Sequence, residues 1–324
     1  MPIPISRLST TLMGMDTVAI PQLHSLRHGL DMSPSAFGEL RESNELLANP
    51  VALRERMRTD GYIFMRDYLN RAEVLEARAE VVRRLDAEGF LDHNYPVEEA
   101  VTAPGKVHAF SDKYGNANAP LAKVLYAGPM LDYYRQLLGG PVRHYDFTWF
   151  RCISGGLTGT YPHSDVVYMG RGTQQLYTSW TPLGDVPYEL GGLMILEDSI
   201  HKGDRLKNYL KRDVDTYCEN RPEAAAIKSG TKQWQWGGVL AQNPVTLRAN
   251  LGGRWLTTEY RAGDVLTFSV FTVHASTDNQ TNRFRLSSDS RYQLVTEAVD
   301  ERWISIDGKA PVAHGAAGKR GRIC

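Results

Sequence analysis

Tyr161-Pro162-His163-Ser164-Asp165 places an imidazole and a carboxylate two residues apart, and in extended backbone both side chains leave the same side of the chain. One metal ion can take both. His274, at the end of the apolar run Val265–Val273, is a candidate third ligand. Two histidines and one carboxylate make the facial set of non-haem Fe(II) oxygenases, which leaves coordination positions open for a cosubstrate and O₂. With nine His and 37 Asp+Glu in 324 residues, chance alone supplies about one His-x-Asp/Glu. The chain has a second, His144-Tyr145-Asp146, inside a regular strand pattern, where a satisfied histidine and a surface aspartate explain it equally well. Neither motif decides by itself.

Beyond His274 the chain enters a segment in which Arg285, Ser287, Asp289, Arg291 and Gln293 alternate with Phe284, Leu286, Tyr292 and Leu294. A strand with five polar side chains on one face is either a solvent-facing edge of a sheet or the polar lining of a barrel. In the second case Arg285 offers a planar fork for a carboxylate.

The elements that must position these residues change character along the chain. Helical patterns come first: Val51, Leu53 and Met57 precede the Asp60-Gly61 turn, Asn70 and Glu73 open a helix that stops at Gly89, and Met130–Leu138 ends at Gly139-Gly140. After Pro141 the pattern becomes strands of period two, clearest at 142–152, 175–181, 192–196, 264–274 and 283–295. Helices followed by many strands predict an α+β fold in which helices buttress a β-sandwich or barrel. Residues 1–48 read as an N-terminal extension, 49–300 as the main domain with an insertion at about 203–262, and 301–324 as a C-terminal tail. Trp234, Trp236 and Trp255 in the insertion offer an apolar wall, and Arg205, Lys207, Lys211 and Arg212 a basic cluster. Hydrophobic residues make up 42% of the chain, and 37 Lys+Arg balance 37 Asp+Glu. That balance gives no electrostatic basis for nucleic-acid binding, and no apolar run is long enough to span a membrane. A small-molecule partner fits, with oligomeric state open. Three cysteines at unrelated spacings suggest no disulfide and a cytoplasmic location.

Four blocks resemble the phytanoyl-CoA dioxygenase family of Fe(II)/2-oxoglutarate-dependent oxygenases, over roughly residues 50–295. They are Asp60-Gly61-Tyr62-Ile63-Phe64-Met65-Arg66; His163-Ser164-Asp165; Ser179–Leu183 with Gly191–Gly203; and His274-x-Ser276-x-x-Asn279-x-Thr281-x-x-x-Arg285. The resemblance implies a double-stranded β-helix, a jelly-roll or cupin-like barrel buttressed by helices. It further implies that His163, Asp165 and His274 hold Fe(II), that Arg285 pairs with the distal carboxylate of 2-oxoglutarate, and that Ser276 and Trp180 sit beside it. Lys106 resembles a family lysine at the same pocket. The implied activity is oxidation of a small metabolite, with hydroxylation foremost and desaturation, epoxidation or ring formation as variants on the same iron. A non-catalytic ligand-binding protein on the same barrel is the rival from another class, disfavoured by the presence of all three ligands with Ser276 and Arg285. The substrate does not follow.

Overall fold

A computed structural model describes residues 20–232 and 237–324. Its centre is two β-sheets. The larger has the order Tyr62–Met65, Val265–Ser269, Tyr177–Pro182, Arg285–Leu294, with Val142–His144 and Trp149–Ile153 both paired antiparallel to the far side of Arg285–Leu294. The smaller runs His274–Ser276, Leu193–Leu196, Trp255–Thr257, Phe37–Glu39, the last pair parallel.

Period two assigns each strand's faces. In Tyr62–Met65 every residue is buried, because Ile63 and Met65 pack on helices while Tyr62 and Phe64 point between the sheets. Those helices are Pro50–Asp60, Arg71–Ala87, Ala119–Tyr126 and Gly128–Leu138, whose residues Leu53, Val74, Val81, Leu85, Leu125, Met130 and Tyr134 join one apolar cluster with the outer face of the larger sheet. Asn70 caps its helix as expected, accepting from the N–H groups of Ala72 and Glu73. Gly61 ends the first helix at φ 76°, and a Cβ there would lie 2.7 Å from Ile200 Cγ2, so only glycine fits the turn into the strand.

Two expectations about the strands change. The segment 264–274 is not one strand: Val265–Ser269 belongs to the larger sheet and His274–Ser276 to the smaller. The chain crosses between them in a turn closed by Thr272 N–H to Ser269 O at 2.9 Å and Thr272 Oγ1 to Gly61 O at 2.7 Å. The insertion is shorter than 203–262, because Trp255–Thr257 is a strand of the smaller sheet; Trp255 is buried there and donates its Nε1–H to Pro244 O. Trp234 and Trp236 lie outside the described residues. At the other end, residues 20–48 are woven into the body: Phe37–Glu39 completes the smaller sheet, and Leu26 and Arg27 donate backbone N–H groups to Asp278.

The cysteine reading is also corrected, since Cys218 and Cys324 form a disulfide and Cys152 alone is free and buried. A separation of 106 residues hides the pairing from any spacing rule. It arises because the tail returns as the strand Arg320–Arg322, parallel to Thr216–Cys218. The buried Asp215 ties the same two segments, accepting from Arg302 Nη1 at 2.5 Å, His314 Nδ1 at 2.7 Å and Lys319 Nζ at 2.7 Å. With this pair formed, cysteine usage no longer argues for a reducing compartment. Among the described residues, no helix is long and apolar enough to cross a membrane.

A crosslink over a loop of this length restricts the unfolded chain strongly. Cys218→Ser is therefore expected to lower stability by about 2–5 kcal/mol in urea denaturation. Reducing the wild-type protein should reproduce the loss without adding to that of the variant.

Candidate active site

His163 and His274 form a reciprocal backbone bridge, His163 N–H to His274 O at 3.0 Å and His274 N–H to His163 O at 2.9 Å. The bridge brings the ring centroids to 4.2 Å. Each Nδ1 lies against the carbonyl two residues upstream, Tyr161 O at 2.7 Å and Thr272 O at 3.0 Å. A carbonyl only accepts, so each Nδ1 carries the proton and each Nε2 lone pair is left for a metal. Asp165 Oδ1 stands 3.8 Å from both Nε2 atoms, and one ligand atom from each residue lies within 4.8 Å of the others. Among the described residues this is the one His/Cys/Asp/Glu group so arranged.

The other oxygen of Asp165 is occupied. Oδ2 accepts from Thr178 Oγ1 at 2.6 Å and from Arg291 Nη2 at 3.1 Å, and both charged side chains are only 3% exposed. Burial opposes the Asp165 charge, but the Arg291 guanidinium, with the imidazoles and Thr178, outweighs it and holds the carboxyl below the usual carboxylate range. Burial pushes the His163 imidazole down to about 3, with the neighbouring His274 adding to the shift, and burial lowers His274 too. Both rings are thus neutral near pH 7, the form that binds metal. The site presents two neutral nitrogens and one carboxylate oxygen, a donor set that suits Fe(II) with open positions.

His163 and Asp165 do come together, but not through the extended chain that the two-residue spacing suggests. Asp165 has φ −63° and ψ −24° and caps the short helix Val166–Met169. The chain turns at Ser164, whose N–H donates to Tyr209 Oη at 3.0 Å. The rival motif is structural: His144 stacks on Tyr126 at 4.1 Å and bonds to Tyr145 O, while Asp146 Oδ2 accepts from Ser305 N–H.

A narrow inner cavity runs from this group to Arg285, lined also by Arg151, Thr160, Trp180, Leu193, Ser276 and Asp289. Arg285, Ser287, Asp289, Arg291 and Gln293 are each at most 3% exposed, which excludes the solvent-facing reading of their strand. Arg285 donates Nη1–H to Ser287 Oγ at 2.6 Å, while its Nε and the Trp180 Nε1 are buried with no protein partner. Burial pushes Arg285 down to about 10, so it stays charged near neutrality. Unsatisfied donors in a closed polar channel are what an anionic guest completes. Ser276 Oγ accepts from Thr160 N–H at 2.7 Å. That approach depends on Gly159, where a Cβ would lie 2.0 Å from Ser276 O. Lys106 is not part of this channel: it is exposed, with its ammonium 5.8 Å from the Phe90 ring.

An outer cavity of about 260 Å³ opens on the other side of His163 and Asp165, between Phe110, Trp149, Arg151, Thr160, Tyr168, Met169, Arg291 and His314. Its tail residue His314 has no counterpart in the sequence reading, and no described residue of the insertion lines it. The insertion instead backs the metal-motif segment, with Leu240 N–H to Pro162 O and Tyr168 Oη to Gly237 O. Arg205, from the basic cluster, caps the C-terminus of Pro244–Leu251 through Asn250 O and Leu251 O.

The family model for phytanoyl-CoA dioxygenase matches residues 57–287. The chain belongs to the phytanoyl-CoA dioxygenase family. It is accordingly an Fe(II)/2-oxoglutarate-dependent oxygenase, with O₂ as the third reactant. No curated protein sequence matches it significantly. Among solved structures it is similar to the epimerase SnoN in complex with Fe3+, alpha ketoglutarate and nogalamycin RO, at 22% identity and TM-score 0.55 over 83% of this chain and 94% of that one. It is also similar to the non-heme alpha ketoglutarate dependent carbocyclase SnoK from nogalamycin biosynthesis, at 18% identity and TM-score 0.54 over 80% and 90%. EctD from S. alaskensis gives 17% identity and TM-score 0.53 over 93% and 98%. At these identities the likeness is one of fold.

Arg291 holds a charge that cannot reach water. Arg291→Met, similar in length but uncharged, is expected to destabilise the metal-free protein by about 3–5 kcal/mol in urea denaturation, with Arg291→Lys recovering part. A loss under about 1 kcal/mol, the size of an exposed ion pair, would show that Asp165 is solvated.

Proposed function

We propose that the protein hydroxylates a small metabolite, with His163, Asp165 and His274 holding Fe(II) and Arg285 holding 2-oxoglutarate. The observation that carries this reading is the inner cavity: it joins the histidine pair to a buried, incompletely bonded arginine and to nothing else of opposite charge except Asp289. We read the two facing sheets as a double-stranded β-helix and residues 49–300 as the oxygenase domain. The polar face of Arg285–Leu294 then lines the barrel interior.

Iron held there would let O₂ act as the oxidant, with one oxygen atom going to 2-oxoglutarate as it is oxidised to succinate and CO₂ and the other to the substrate. The chain supplies position and dryness. His163 and His274 present fixed Nε2 atoms, because backbone carbonyls hold their Nδ1–H groups. Asp165 would offer the metal Oδ1, because Arg291 and Thr178 hold Oδ2. Arg285 receives the distal carboxylate through its free Nε edge, with Ser276 Oγ and Trp180 Nε1 as neighbouring donors. Trp149, Tyr168 and Met169 wall the outer cavity and keep water from the side where substrate must lie. As a metal ligand, Asp165 would occupy the place that a halide needs, which disfavours halogenation. Desaturation, epoxidation and ring formation share every one of these residues and differ only in how the substrate sits.

Two measurements check the assignment. Alanine at His163, Asp165 or His274 should abolish tight Fe(II) binding in chelator competition while His144→Ala retains it; the reverse pattern overturns the ligand set. Arg285→Ala should raise the 2-oxoglutarate requirement by about 30-fold to several-thousand-fold, followed by succinate formation. An unchanged KM removes the clamp, and absence of succinate from the iron-loaded wild type would favour a ligand-binding protein instead.

A further inference from the structure

Arg151 is the least explained charge in the site. It lies on Trp149–Ile153, on the same face as Trp149 and opposite Ser287 in the paired strand. Its Nε donates to Asp289 Oδ2 at 3.1 Å, and Asp289 is 3% exposed. One edge of the guanidinium is therefore anchored. Neither terminal nitrogen has a hydrogen-bond partner among the described residues, and Arg151 lines both cavities. The Phe110 ring, 5.9 Å from the guanidinium carbon, flanks it on the outer side. Beside it, Arg291 lies 3.9 Å over the Trp149 ring with its Nε buried and unpaired.

From this we infer that the outer cavity takes a compact monocarboxylate, whose carboxylate is held by the free fork of Arg151 at the threshold between the two cavities. The inference rests on the oxygenase reading above. Arg151, Arg285 and Arg291 stand against Asp165 and Asp289, so the protein contributes one positive charge in excess. Fe(II) and the 2-oxoglutarate dianion cancel each other and leave that excess in place. Arg151 keeps 21% of its side chain exposed, so solvent meets its charge only in part, and a single carboxylate supplies the missing counter-charge in the planar, two-oxygen geometry that a guanidinium fork matches. A phosphate monoester offers the same oxyanion chemistry but brings a second charge with no partner. The remaining walls, Trp149, Phe110, Tyr168 and Met169, suit an apolar body. About 260 Å³ lies just below the roughly 300–1,000 Å³ of pockets for drug-sized ligands, so an acyl-CoA would remain largely outside.

The wild-type protein, loaded anaerobically with Fe(II) and saturating 2-oxoglutarate, should be titrated in a calorimeter with phenylacetate, phenylacetamide, cyclohexanecarboxylate, cyclohexanecarboxamide and phenyl phosphate. Each acid is expected to bind at least about tenfold more tightly than its amide. Arg151→Met should erase that preference and Arg151→Lys restore part of it. Acids and amides of equal affinity, or phenyl phosphate as the tightest probe, overturn the inference, and the wild-type comparison stands even where a variant fails to fold. A retained acid preference in Arg151→Met with a raised 2-oxoglutarate requirement also overturns it, assigning Arg151 to the cosubstrate. Succinate formation by the wild type without any probe separates the two readings. Its presence with no acid preference removes only the monocarboxylate site; its absence with an Arg151-dependent acid preference removes only the oxygenase reading.

Discussion

The Asp165 carboxylate is a full charge, almost without solvent, that the fold keeps ionised. Everything around it serves that condition. Thr178 and Arg291, from adjacent strands of the larger sheet, take one oxygen. The other faces two imidazoles held neutral by burial. A buried carboxylate with one satisfied and one unsatisfied oxygen is a metal ligand in waiting, since the open oxygen recovers its lost hydration only by binding a cation.

The two sheets divide the work. The smaller carries His274 and Ser276, and the bridge from His274 adds His163 to its edge. From the larger come Arg285, Asp289 and Arg291 on one polar face, with Trp180 and Arg151 beside them on the neighbouring strands. The channel between the sheets thus joins a metal end to an arginine end. The outer cavity is finished by chain from elsewhere. His314 reaches it because the buried Asp215 and the Cys218–Cys324 disulfide tie the tail to the segment after the metal motif.

Much of this was legible in the sequence where short-range order decides. The helices with Asn caps and glycine stops, the polar face of Arg285–Leu294, and the His163, Asp165 and His274 set followed from residue types and spacing together with the family resemblance. What escaped was long-range. The break between Ser269 and His274 depends on a hydrogen bond from Thr272 to Gly61, more than two hundred residues away. Cys218 meets Cys324 only because two short strands pair, and Trp255 entered the smaller sheet rather than an insertion for a similar reason. Arg291 stood in view on the right face, yet its role needs Asp165 to turn into a helix rather than continue a strand. Arg151 carried no local signal, being one arginine in an aromatic strand, and only its register against Ser287 and Asp289 makes it part of the site.

The most direct measurement is the visible charge-transfer absorption that 2-oxoglutarate produces when it chelates protein-bound Fe(II) without oxygen. The geometry predicts that the band develops with one equivalent of 2-oxoglutarate per iron and that succinate, which lacks the keto group, does not produce it. Tight iron binding with no band at any 2-oxoglutarate concentration would contradict the central claim that one channel holds both the metal and its cosubstrate.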